Sequence, residues 1–263
     1  MTVTGQVLRY ELRGALRARW LIAYALFFLI ATDALLRFGG AEDGVRAVAS
    51  LMNVALLVVP LVTTIFGTIA VYNAREFTEL LLAQPVARRD LYAGLYLGLA
   101  LPSATAFLVG VGVPFALHGG YGAASGLATL LLVGVALTAV FSAIAFLIAT
   151  RCEERVRGLG VAIGVWLAMA LLYDGAVLLL ATLFADYPLE RPLLALMVAN
   201  PIDLARVALL LRLDSAALMG YTGAVFKQVL GGTAGITIAV IALGLWTGVP
   251  VWLGRRAFER KDF

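Results

Sequence analysis

Six stretches of this chain are apolar for about the 20 residues that a helix needs to cross hydrocarbon: Trp20–Phe38, Ala47–Tyr72, Leu91–Leu117, Leu127–Thr150, Leu159–Phe184 and Ala234–Leu253. A segment inside a bilayer must satisfy its backbone within itself, and the stretches are too long for strands, so each is expected to be a helix. The rest of the composition agrees. Apolar residues make up 62% of the chain and charged residues 14%, against about 25% charged in soluble domains. A water-soluble core cannot hide this much apolar surface. The expected architecture is an all-α membrane protein with six transmembrane helices, residues 1–263 forming one domain.

Arginine and lysine set the orientation. Counting alternate connections, one side carries Arg9, Arg13, Arg17, Arg19, Arg75, Arg88, Arg89, Arg151, Arg155, Arg157, Arg255, Arg256, Arg260 and Lys261. The other carries only Arg37, Arg46, Arg191, Arg206, Arg212 and Lys227. The richer side is expected to be cytoplasmic, with both termini there, and Trp20 and Trp252 fall at that end of the first and last spans as interface anchors. Because the basic residues stand in short patches between apolar stretches, the net charge of +4 does not point to nucleic acid. No cleaved leader is expected, since the first apolar run is too long for one. Before it, Leu8, Leu12, Ala15 and Leu16 recur at helical spacing beside Arg9, Arg13 and Arg17. That pattern fits a helix over residues 3–19 lying in the membrane interface, or a basic flank that orients the first span.

The connection 185–233 is the longest on the opposite side and too polar for a seventh span. Asn200-Pro201-Ile202-Asp203 reads as a helix start, with Asn200 as N-cap, Pro201 at the first position and Asp203 near the positive end. Leu204, Val207, Ala208 and Leu211 continue it as an apolar stripe, and Asp214-Ser215 can cap a second short helix ending near Gly220. Both are expected to pack on, or dip into, the outer leaflet. Glycines four apart at Gly94/Gly98, Gly160/Gly164 and Gly244/Gly248 permit close helix approach, between subunits or within one.

Nothing in the chain argues for an enzyme. Lys227 and Lys261 are the only lysines and neither sits in Gly-Lys-Ser/Thr, so a phosphate-binding loop is absent. The sole histidine, His118, has no cysteine or paired carboxylate at metal-ligand spacing, and Cys152 is the sole cysteine. Met197 and Met219 suit a soft metal or simple packing; no metal or cofactor site is expected. Two carboxylates stand within spans. Asp33 and Asp174 both fall in the outer half of the bilayer, where a carboxylate is costly unless it faces a partner or a watery cavity. Arg37, one turn beyond Asp33, can pair with it. Asp174 has no basic partner in its own span and is expected to line a polar interior or meet another helix.

The connection after the second span is the most informative. Residues 75–83 suit a short helix that ends at Gln84-Pro85, because a residue before proline resists helical geometry. Arg75, Glu76 and Glu79 are its polar positions and Leu80 to Leu82 its apolar ones, before Pro85-Val86-Ala87-Arg88 leads into the third span. This stretch resembles the coupling-helix region of ABC-2 type permeases, and the plan of the whole chain is similar to that family. Where the family often has Gly-Thr after the first acidic residue, this chain has Phe77-Thr78. Residues 200–206, Asn-Pro-Ile-Asp-Leu-Ala-Arg, and 217–226, Ala-Leu-Met-Gly-Tyr-Thr-Gly-Ala-Val-Phe, resemble the NosY-like branch, which serves maturation of the copper enzyme nitrous oxide reductase.

The resemblance implies a type V exporter-like fold in the cell inner membrane. It implies a homodimer that binds two copies of a separate cytoplasmic ATPase, which holds the ATP and Mg. Coupling to that ATPase would fall to Arg75, Glu76, Phe77, Glu79 and Arg88, helped by Glu153 and Glu154 of the next cytoplasmic loop. Asp33, Arg37 and Asp174 are candidates for a pathway or interface, and Asn200, Asp203, Arg206, Met219 and Tyr221 for contact with a periplasmic NosD-like partner. Export of a lipid, drug or polysaccharide, or a non-transporting scaffold in contact with membrane lipid, would use the same plan.

Overall fold

In a computed structural model, which describes residues 5, 14, 18–38, 44–82, 86–118, 124–184, 190–213 and 232–260, every regular element is helical. In chain order these are α1 (Arg19–Phe38), α2 (Gly44–Asn73), α3 (Arg75–Leu82), α4 (Arg88–His118), α5 (Ala124–Arg151), α6 (Arg155–Leu167), a π turn (Ala168–Leu172), α7 (Tyr173–Leu183), α8 (Glu190–Val198), α9 (Pro201–Leu213) and α10 (Gly232–Arg260). Among the described residues, six helical segments are long and apolar enough to cross a membrane: α1, α2, α4, α5, the continuous α6–α7 rod, and α10. They fall on the six expected stretches. The chain is an all-α membrane protein.

The fourth span, α5, sits at the centre, packed against α2, α4, α9 and α10. Leu137, Val140, Phe141, Ala143 and Ala145 on it are fully enclosed. Lipid offers little hydrophobic drive between helices, so close packing has to supply the attraction, and small residues permit it. A Cβ on Gly110 of α4 would stand 2.7 Å from the Phe28 Cβ and 2.8 Å from the Ala25 carbonyl, which sets how near α1 lies. Gly134 of α5 likewise leaves room for the Phe107 ring of α4. Gly160, Gly164, Gly244 and Gly248, which were expected to permit close approach, have nothing within 4 Å of an added Cβ. Gly94 and Gly98 are buried on α4.

Several threonine hydroxyls within the spans bond to their own helix, which satisfies them without water. Thr63 donates to the Val59 carbonyl (2.6 Å), Thr64 to Pro60 (2.6 Å) and Thr68 to Thr64 (2.7 Å), around the break in the backbone ladder that Pro60 creates.

The fifth span differs from the others. From Ile163 to Phe184 none of its residues is buried. Midway along it, the backbone widens into the π turn. On one side of that turn Trp166 donates its indole N–H to the Leu57 carbonyl of α2 (3.2 Å); on the other, Tyr173 donates to the Leu196 carbonyl of α8 (2.5 Å).

The long connection is more embedded than its polarity suggested. α9 starts at Pro201 behind Asn200 as expected, but Ile202, Leu204, Ala205, Ala208, Leu209 and Leu210 join the main core, and the helix packs on α5, α10 and α2. α8, which precedes it, was not foreseen. The amphipathic segment 3–19 lies outside the described residues apart from Gly5, Gly14, Ala18 and Arg19, as do the Asp214-Ser215 helix and the candidates Met219 and Tyr221.

Candidate coupling site and outer polar cluster

At the arginine-rich end, α2 runs almost directly into α3. The Ala74 amide bonds to the Ala70 carbonyl (3.0 Å) and the Thr78 amide to Ala74 (2.9 Å), so only one residue separates the two helices. The Thr78 hydroxyl adds a bond to the Ala74 carbonyl (2.7 Å) and is buried. Thr78 and Phe77 face a cavity of about 420 Å³ between the helix ends, lined also by Trp20, Leu99, Ser103 and Phe146. Trp20, expected to anchor at the interface, stacks on Phe66 of α2 at 5.3 Å. Trp252 is half exposed beneath the Arg256 guanidinium, 4.5 Å from its ring centroid.

The candidate coupling residues divide by charge. Glu76, Glu79, Glu153 and Glu154 are all exposed, as is Leu80. The two arginines turn inward onto backbone carbonyls. Arg75 lies over the Tyr72 ring, 4.7 Å from its centroid, and donates to Glu153 O (2.8 Å), Cys152 O (3.0 Å) and Ala149 O (3.3 Å). The Tyr72 hydroxyl donates to Cys152 O (2.9 Å) and Glu154 O (3.3 Å). These acceptors belong to the last turn of α5 and the residues just beyond, where a helix leaves four carbonyls without intrahelical partners and carries partial negative charge. Arg88 does the same elsewhere, donating to Glu259 O (2.9 Å) near the end of α10. Both arginines, expected from the sequence to take part in coupling, donate to carbonyls at the ends of neighbouring helices.

At the other end stand two clusters. Asp33 pairs with Arg37 (2.8 Å), and His118, in the last turn of α4, places Nε2 3.5 Å from the same carboxylate. The second cluster joins residues that the sequence kept apart. Arg206 of α9 reaches Asp174 of α7 (2.9 Å) and Asp203 of its own helix (3.1 Å). Asn200 caps α9 by accepting the Ile202 amide on Oδ1 (3.1 Å), while its Nδ2 donates to Asp203 (3.2 Å) and to the Met169 carbonyl (2.9 Å). Met169 lies in the π turn, where widening frees carbonyls from the ordinary ladder. Trp246 of α10 donates to Val198 O (3.1 Å), so both transmembrane neighbours grip the α8–α9 junction. Burial, and next the charge of Asp174, push the Asp203 carboxyl up to about 7 against the lowering effects of Arg206 and Asn200.

Arg206 is a candidate for external contact from the sequence; the structure places it beside Asp174, a pairing that sequence reasoning missed. Its signal was faint: a partnerless intramembrane carboxylate, and an arginine one turn into a helix whose cap points back at the same span. Among the described residues no group of three or more His, Cys, Asp or Glu side chains could hold a metal ion.

Residues 6–263 match the family described as ABC-2 family transporter protein. The chain is 31% identical to the probable ABC transporter permease protein NosY of Pseudomonas aeruginosa, over 99% of each sequence. It is 28% identical to the protein of the same name from Stutzerimonas stutzeri, again over 99% of each. With its six spans and its near full-length match, the chain belongs to the ABC-2 transporter family, as a NosY-like permease.

Proposed function

We propose that the chain works as a homodimer in the cell inner membrane, arginine-rich end and both termini in the cytoplasm, driven by a separate ATPase that docks on α3 and the 152–154 loop. Two copies of that ATPase hold the ATP and Mg. The observation that carries this reading is the set of four exposed carboxylates, Glu76, Glu79, Glu153 and Glu154, around exposed Leu80. With Arg75 turned onto carbonyls, the outward charge of α3 itself is that of Glu76 and Glu79, which suits basic groups on a partner. Pairing of two copies is supported by the fifth span, which leaves Ile163, Leu171, Leu172, Leu178 and Leu179 uncovered beside a half-exposed ion pair. In lipid, such an ion pair is better covered by protein. We further propose that the system serves maturation of the copper enzyme nitrous oxide reductase, with a periplasmic NosD-like protein on the α8–α9 end; likeness to two permeases named NosY supports this reading.

Glu76→Lys with Glu79→Lys should weaken copurification of the ATPase about tenfold or more, as reversal of interfacial charge does. Reversal of Glu42 and Asp43, in the connection between the first two spans, should leave it unchanged. Equal behaviour of the two pairs would remove α3 as the dock.

A further inference from the structure

We infer that Arg75 and Tyr72 are positioning residues: they tie the two intracellular loops into one rigid body, so that a push on α3 reaches the second, fourth and fifth spans together. The inference rests on the docking reading above and concerns what happens after docking.

Three observations carry it. First, the bonds are long-range and numerous. Five hydrogen bonds from these two side chains end on four carbonyls, those of Ala149, Cys152, Glu153 and Glu154, about eighty residues away in sequence. A guanidinium suits this task because its donors are fixed in one plane and cannot be lost by deprotonation. Second, the loop is built to receive them. Gly158, in the first turn of α6, has the Tyr72 hydroxyl where its Cβ would be, so the tyrosine reaches across only because that position is glycine. Third, the ends of the tie are stiff. α3 follows α2 with one residue between and hydrogen bonds across the junction, and α6 begins immediately after the bonded loop, at Arg155.

A short helix on a loose loop would swing without moving the spans behind it. Here a displacement of α3 cannot leave the end of α5 behind without breaking bonds to a charged group. The guanidinium points at carbonyls, while Glu76 and Glu79 of the same helix are exposed. Docking and transmission therefore depend on different side chains of one helix, the glutamates and the arginine.

The test uses the permease with its ATPase subunit in lipid vesicles, comparing Arg75→Ala, Arg75→Lys and Tyr72→Phe with Glu76→Lys/Glu79→Lys. Arg75→Ala should hold the ATPase within about twofold of wild type, while permease-dependent stimulation of ATP hydrolysis falls about tenfold, the scale of one lost hydrogen bond to a charged group. Arg75→Lys should fall between, since an ammonium cannot span three carbonyls in a plane. A decisive arm uses Cys152, the only cysteine. In Arg75→Cys, a short bis-maleimide joining the new thiol to Cys152 should restore stimulation, whereas the same reagent on Arg75→Ala should not. Spin labels on Ala74→Cys and Glu154→Cys, in a Cys152→Ala background, should show a narrow distance distribution that broadens in Tyr72→Phe, a variant mild enough to fold. If Arg75→Ala loses the ATPase as the glutamate reversals do, Arg75 is a docking contact and the inference falls while the docking reading stands. If the glutamate reversals leave binding intact, the docking reading falls. Unchanged stimulation, or an unbroadened distance, overturns the tie.

Discussion

Two arginines, one at each end of the molecule, show how the same side chain can leave a surface open or close it. Arg75 spends its donors on the neutral carbonyls of a helix end, and the carboxylates around it remain exposed. Arg206 spends its donors on the carboxylates of Asp174 and Asp203, and Asn200 completes the set. A backbone carbonyl at a helix end carries only a fraction of a charge, so the arginine there keeps most of its own and neutralises nothing. The first region ties backbone to backbone and leaves the α3 glutamates exposed; the second is a lock whose charges are consumed internally.

The comparison can be broken most forcefully at Arg206. Arg206→Met would leave two carboxylates facing each other without their cation. Unpairing a fully buried charge costs about 3–5 kcal/mol; with Asp174 44% and Arg206 34% exposed, screening lowers the expected loss to about 2 kcal/mol. Thermal denaturation in detergent should show a clear drop, much of it recovered by adding Asp174→Asn. A full-height melting temperature in the single variant would mean that the lock is ornamental.

A comparable effect is expected at the basic end. Gly158→Leu drives a side chain into the space that the Tyr72 hydroxyl fills, and overpacking of this kind costs about 2 kcal/mol. The displaced Tyr72 hydroxyl would leave the Cys152 and Glu154 carbonyls, so ATPase stimulation should fall as well. Should stimulation survive while the fold loses stability, Tyr72 is packing alone.

The smallest effect is the proton linkage of Asp203. Its ordinary value is 3.8 and the fold raises it to about 7, so between those values the native state holds a proton that the unfolded chain has released. Stability from this group is full below the ordinary value and lost as pH rises through the folded one, opposite to the usual salt-bridged carboxylate. Melting temperature should decline from pH 5 to pH 8, and Asp203→Asn should flatten the decline. A rise over that interval would contradict the sign.

Much of this was legible in the sequence. Apolar length fixes the spans because the bilayer admits few alternatives, and Asn200-Pro201 marked the start of α9 through local cap chemistry alone. The acidic face of α3 was readable from the spacing of Glu76 and Glu79. What was hidden is whatever depends on distance through space. No pattern near Arg75 says that its partners are the carbonyls of residues 149–153, since carbonyls carry no sequence signature. Arg206 and Asp174 are 32 residues apart and meet only because α9 folds back onto the fifth span. α8 opens with Glu190-Arg191-Pro192, a start without a serine, threonine, asparagine or aspartate at its head. The π turn alters geometry without altering composition.

That turn has a consequence for register. In an uninterrupted α-helix, positions seven apart return to nearly the same bearing, so Trp166 and Tyr173 would look the same way. One extra residue in the winding turns everything beyond it back by about 100°. It works as a phase shifter: Trp166 addresses Leu57 of the second span, while Tyr173 and Asp174 address α8 and α9. Deleting one residue between Ala168 and Leu172 would restore a plain helix and bring both sets of contacts onto one bearing, where only one of them can be kept.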